Sequence, residues 1–180
     1  MRIIKEQSSG LIIDIQEKLH PHIYKHDIIS RNVSILIRGL KILNIPVILT
    51  QQYTKGLGDT IPDIKEAMGD FAPIEKNSFS CCDEPAFMES LNRLGKKYII
   101  IAGTEAHVCV LQTSIDLIEK DFIPVVVENC ISSRKNRDKK TAVDRMRQEG
   151  VIITTYESIL FELTRFAGTS QFKDISRLVK

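Results

Sequence analysis

The chain predicts an α/β fold, a doubly wound parallel sheet of six strands with helices on both faces, and three observations carry that prediction. Short apolar runs rich in Ile, Val and Leu recur along its 180 residues. Most are followed by a longer segment whose apolar residues fall at helical spacing. Gly, Pro, Asn or Asp stands at many of the junctions. Strands that are apolar on both faces need cover on both sides, and right-handed crossovers then make a three-layer α/β/α sandwich the simplest topology.

The elements follow in order. Residues 10–15 read as the first strand and 28–43 as the first helix, which Asn44-Ile45-Pro46 separates from a second strand at 46–50. Residues 51–58 hold two glycines and read as a loop, and a weaker third strand lies near 72–75. Asp83 with Glu84-Pro85 opens a helix over 84–94 that Gly95 closes. A fourth strand at 98–102 leads into a helix over 107–120. A fifth at 123–127 leads into a helix over 137–149, closed by Gly150, and a sixth at 151–154 into one over 156–166. No linker or repeat interrupts the pattern. The reading is therefore one domain over residues 1–180, with 166–180 as a peripheral tail suited to a neighbouring subunit. Ile159, Leu160, Leu163 and Phe166 fit a subunit contact or the core equally well.

Composition narrows the function classes. A net charge of +2, with 27% charged residues of both signs, makes no broad basic field, so neither nucleic acid nor an anionic membrane is indicated as a partner. The basic cluster from Arg134 to Lys140 reads as a solvated helix entry. No apolar stretch approaches the ~20 residues that cross a bilayer, and the first residues lack the apolar segment of a secretory signal. The four cysteines, with Cys81 and Cys82 adjacent, form neither a disulfide framework nor a C-x-x-C zinc pattern, so a reducing, cytoplasmic setting is expected. His20, His22 and His26 read as a polar turn, and His107 as packing or capping at a helix start. No G-x-G-x-x-G or P-loop follows the first strand, which argues against a nucleotide-binding module.

Chemistry belongs beyond the carboxyl ends of the parallel strands. Gly103-Thr-Glu-Ala-His-Val-Cys109 breaks an apolar run at a glycine and delivers a cysteine to a helix start. There, unpaired backbone N–H groups and the helix dipole favour a thiolate and can hold an oxyanion. Asp14 ends an aliphatic strand in Leu11-Ile-Ile-Asp-Ile-Gln16; it either caps a turn or serves as a base for a neighbouring thiol. Lys76 follows the weak third strand and, beside Asp14 and Cys109, would favour the thiolate.

Taken together these residues resemble the isochorismatase-like cysteine hydrolase superfamily. The likeness rests on Asp14 in I-D-I-Q, Lys76 in E-K-N-S-F-S, and the block from Gly103 to Leu117. The V-V-V-E-N-C-I-S-S-R run up to Arg134 adds to it. The resemblance implies the strand order 3-2-1-4-5-6, a catalytic triad of Asp14, Lys76 and Cys109, and a non-proline cis peptide joining Thr104 to Glu105. It also implies an oxyanion hole built from the backbone N–H groups of Glu105 and Cys109, and a homo-oligomer. The metal-binding aspartate and histidines of nicotinamidases are missing after the second strand, so no metal and no other cofactor is expected. Gln52, Tyr53 and Phe79 are candidates for the substrate pocket. The implied activity is hydrolysis of a small amide or related C–N bond by an amidase-type enzyme. The alternative is a non-catalytic member that retains the fold as a binding or regulatory protein.

Overall fold

A computed structural model describes all 180 residues. Six parallel strands form one sheet in the order β3-β2-β1-β4-β5-β6, which is the order that the resemblance implied. The strands are β1 (Ser8–Ile13), β2 (Val47–Gln52), β3 (Ile74–Lys76), β4 (Tyr98–Thr104), β5 (Ile123–Ser132) and β6 (Ile152–Thr154). The helices are α1 (His26–Ile42), α2 (Thr54–Leu57), α3 (Pro62–Met68), α4 (Pro85–Leu94), α5 (Leu111–Glu119), α6 (Asn136–Gln148), α7 (Tyr156–Thr164) and α8 (Ser170–Leu178).

Strand side chains alternate between two cores, as a period of two requires. Ile12, Ile100, Ala102, Val125 and Val127 point into one core with residues of α1, α3, α7 and α8. Leu11, Ile13, Ile99, Ile101 and Val126 point into the other with residues of α4, α5 and α6. β1 and β4, the central pair, are buried along their whole lengths. Their continuous aliphatic runs are explained by cover on both faces.

The structure adds to the expected elements in three places. The loop expected at 51–58 carries α2, and α3 follows it. Pro62 stands in the first turn of α3, and Ile64, Ala67 and Met68 are buried, a stretch too short for its period to stand out from the surrounding polar residues. β5 runs on to Ser132, five residues past its expected end, because Asn129, Cys130 and Ile131 continue extended beside β4 after a register irregularity. The tail expected to be peripheral forms α8, whose fully buried Ile175 joins the core beside α1 of the same chain. Ile159, Leu160 and Leu163 are likewise core residues, while Phe166 is exposed. No helix is long and apolar enough to cross a membrane.

At Gly103 the backbone of β4 comes so close to β1 that an added Cβ would lie 2.1 Å from the carbonyl oxygen of Ile13, and its φ of +129° is open only to glycine. Gly103→Ala is therefore expected to lower stability by about 2 to 3 kcal/mol, measured by denaturant unfolding. A variant within about 0.5 kcal/mol of the parent would show that the two strands can part without cost.

Candidate active site

The residues singled out in the sequence meet at the carboxyl edge of the sheet, on either side of the β1/β4 junction where the winding reverses. Asp14 follows β1 in a left-handed conformation, φ +49°, which aspartate tolerates better than most residues. Its N–H donates to the carbonyl of Thr50 at 3.3 Å, and its own carbonyl accepts from the Thr104 hydroxyl at 2.8 Å, so both neighbouring strands hold it. Its carboxylate accepts from the Thr50 hydroxyl at 2.8 Å and from Lys76 Nζ at 2.6 Å.

Lys76 is the last residue of β3, and its side chain is fully removed from solvent. Its ammonium also donates to Gln52 Oε1 at 2.7 Å and to the carbonyls of Ser78 and Phe79 at 3.1 and 3.2 Å. Burial alone would pull the Lys76 pKa down, but Asp14, helped by the thiols of Cys109 and Cys81, outweighs it and raises the pKa above the usual lysine value. The lysine is a fixed cation.

Cys109 sits in a π-helical turn, Ala106–Val110, at the entry to α5, where a uniform α-helix was expected. The turn is closed by the Val110 N–H donating to the Glu105 carbonyl at 3.2 Å, and such wide turns often occur at functional sites. The peptide bond from Thr104 to Glu105 is cis. The Glu105 N–H donates to no acceptor of the protein. Burial and the negative charge of Asp14 push the Cys109 thiol up to about 12, against the opposing pull of Lys76. The resting thiol is therefore protonated at neutral pH.

Asp14 and Cys109 line a cavity of about 240 Å³ together with Gln52, Phe79, Glu105, Arg134, Leu19, Leu57 and Val108. Of the three pocket candidates, Gln52 and Phe79 thus line it. Tyr53 does not: its backbone is left-handed at the start of α2, its ring lies over Gly56, and it is largely exposed.

Several lining residues carry no signal in the sequence. Leu19 arrives from the turn after β1 and Leu57 from the end of α2, and Arg134, expected as part of a solvated helix entry and still largely exposed before α6, also stands at the cavity rim. There its N–H and Nε both donate to Glu105 Oε2, at 3.1 and 3.0 Å. His107 contacts the Ser133 hydroxyl through Nδ1 at 2.8 Å. Cys81 and Cys82 form a buried turn whose N–H groups are held by Thr113 and Ser80, and all four cysteines are free.

A family model described as the isochorismatase domain matches residues 10–158. The chain belongs to the isochorismatase family. A similar relative, isochorismatase family protein 1B of Dictyostelium discoideum, is 37% identical over 187 residues, covering 99% of this chain and 89% of that protein. Among solved isochorismatase-fold structures, the MAR1 ribonuclease of Caenorhabditis elegans superposes with a TM-score of 0.93 at 37% identity, over 99% of this chain and 92% of that one. The YcaC gene product of Escherichia coli, described as an octameric hydrolase of unknown specificity, superposes with a TM-score of 0.90 at 26% identity, over 99% and 95% of the two chains. The chain thus has the fold of isochorismatase-family hydrolases.

Proposed function

We propose that this chain is a cysteine hydrolase that cleaves the C–N bond of a small amide through a thioester on Cys109, with no metal in the reaction. The observation that carries the reading is a fully buried Lys76–Asp14 ion pair beside a thiol at the wall of a cavity open to solvent. A buried pair is costly to desolvate and is weak evidence for stability, so its place beside a nucleophile argues for chemistry.

The steps follow from the groups present. Asp14 takes the Cys109 proton as sulfur attacks the amide carbon, and the C=O electron pair moves to oxygen. The oxyanion is received by the unengaged Glu105 N–H and by the Cys109 N–H at the helix entry. As the C–N bond breaks, Asp14 returns its proton to the leaving nitrogen, which departs as amine or ammonia. Asp14 then removes a proton from water, hydroxide attacks the thioester, and the C–S bond breaks. The carboxylic acid departs and the proton passes from Asp14 back to sulfur. Lys76 stays cationic, since its acceptors Asp14, Gln52, Ser78 and Phe79 hold the ammonium in place. Both carboxylates that line the cavity are committed, Asp14 to Lys76 and Glu105 to Arg134, and no histidine joins them, which is a poor donor set for a metal ion.

The cavity volume suits a small molecule, and Leu19, Leu57, Phe79 and Val108 suit one with a compact apolar body. A polynucleotide strand is a poor fit to that volume. A homo-oligomer is part of the proposal, supported by the octameric state of the Escherichia coli relative. Light scattering is expected to give a multiple of 20.4 kDa.

A mass-spectrometric screen of small amides and ureides tests the function, and an acyl adduct on Cys109 is the expected result. If no compound acylates Cys109 and none is turned over, the chain is a non-catalytic binding protein instead. Asp14→Asn separates the roles of the carboxylate. Removing its charge leaves Lys76 to pull the thiol pKa down from about 12. Alkylation by iodoacetamide at neutral pH is then expected to speed up about tenfold, while amide turnover falls by about 10² to 10⁴. Slower alkylation would mean that Asp14 does not face the thiol electrostatically.

A further inference from the structure

A second cavity, of about 200 Å³, lies beside the end of β5, where Ser132 lines it while Arg134, two residues on, lines the candidate active site. It is lined by Lys25, Lys139, Asn32, Asn129, Asn136 and Ser132, with Tyr24, Ile28 and Ile29 completing one wall. Two cationic side chains face it and no carboxylate does. Neither lysine makes an ion pair or a side-chain hydrogen bond; Lys25 only approaches the Tyr24 ring, at 5.4 Å. Glu128, the carboxylate that acts on Lys139, is paired with Arg147 at 3.3 Å.

The surrounding backbone has the same polarity. Both α1 and α6 begin at this cavity, neither has a side-chain cap, and the N–H groups of Asn136 and Arg137 find no acceptor. Burial lowers the Lys139 pKa, Glu128 and Cys130 oppose that, and the like charge of Lys25 adds to it. The chain thus brings two cations together in a partly enclosed space with no carboxylate in contact with either, its nearest acids being Glu128, held by Arg147, and Asp27 and Asp138 in the first turns of α1 and α6. Elsewhere it does supply such a contact, as with Lys65 and Asp59 or Lys76 and Asp14.

We propose that this cavity binds a small organic oxyanion, a phosphate monoester or carboxylate. Its charged end would meet Lys25, Lys139 and the start of α6, and its compact apolar body would rest on Tyr24, Ile28 and Ile29. Charge-assisted hydrogen bonds from the two ammonium groups and the uncapped start of α6 would hold the charged end. The site is separate from the thiol chemistry. It is nevertheless tied to it through one strand end, since Ser132 lines this cavity, Ser133 contacts His107, and Arg134 holds Glu105.

The test is reductive methylation of lysines read by mass spectrometry, with phenyl phosphate and benzoate as probes and sodium chloride at equal ionic strength as the control. At least one probe is expected to slow labelling of Lys139 and Lys25 saturably by about tenfold, with Lys55 unaffected. The arm that protects tells phosphate from carboxylate. Calorimetric binding of that probe should vanish in Lys139→Met and weaken in Lys25→Met, the second variant serving if the first does not fold. Three results would overturn the proposal. One is equal labelling with and without both probes, and another is protection matched by chloride. The third is disassembly of an oligomer on Lys25 or Ile28 substitution with no anion bound, which would assign the face to a contact between copies.

Discussion

Cys109→Ala is expected to lower kcat for any amide substrate by about 10⁴-fold or more, because the whole acylation half of the cycle is removed together with the nucleophile. Substrate binding should change little, since the thiol supplies only a small part of a wall made by Leu19, Leu57, Phe79, Val108 and Arg134. The measurement is single-turnover kinetics beside calorimetric binding of a slow substrate. The acyl adduct seen with the parent protein should be missing from the variant. Turnover within about tenfold of the parent would remove the thioester from the mechanism.

Lys76→Met is expected to cost about 3 to 5 kcal/mol of folding stability, because it leaves the Asp14 carboxylate buried with a single hydroxyl partner. Gln52 and the carbonyls of Ser78 and Phe79 lose their donor in the same step. The double variant Asp14→Asn, Lys76→Met should recover part of that loss, since no isolated charge remains. Denaturant unfolding of the four proteins completes a double-mutant cycle. Additive losses would show that the two groups do not act as a pair.

Much of this architecture was legible in the chain because it rests on local patterns. Two-sided aliphatic runs such as those of β1 and β4 identify central parallel strands; Asp14 directly follows the first, Cys109 stands in the turn that leaves the second, and Lys76 ends the short edge strand β3. What was hidden depends on approach in space. Arg134 reads as one more charge in a basic stretch, and only the folded chain brings its guanidinium to Glu105, 29 residues away. The same holds for α2, α3 and α8. These short helices show few apolar positions, and a single buried residue such as Ile175 decides the packing of a whole turn. Tyr53 was misplaced for a related reason, because the sign of its φ, and hence the direction of its ring, is not written in residue type.

β3 is only three residues long and lies at the sheet margin, yet it delivers the buried cation that pairs with Asp14 beside the thiol. An edge this short is held as much by its cargo as by its ladder: the ammonium ties the strand to Asp14 after β1 and to Gln52 in β2. Detachment of that margin and loss of catalysis should thus be a single event. Mild denaturant is expected to abolish any amide turnover while the central strands are still intact.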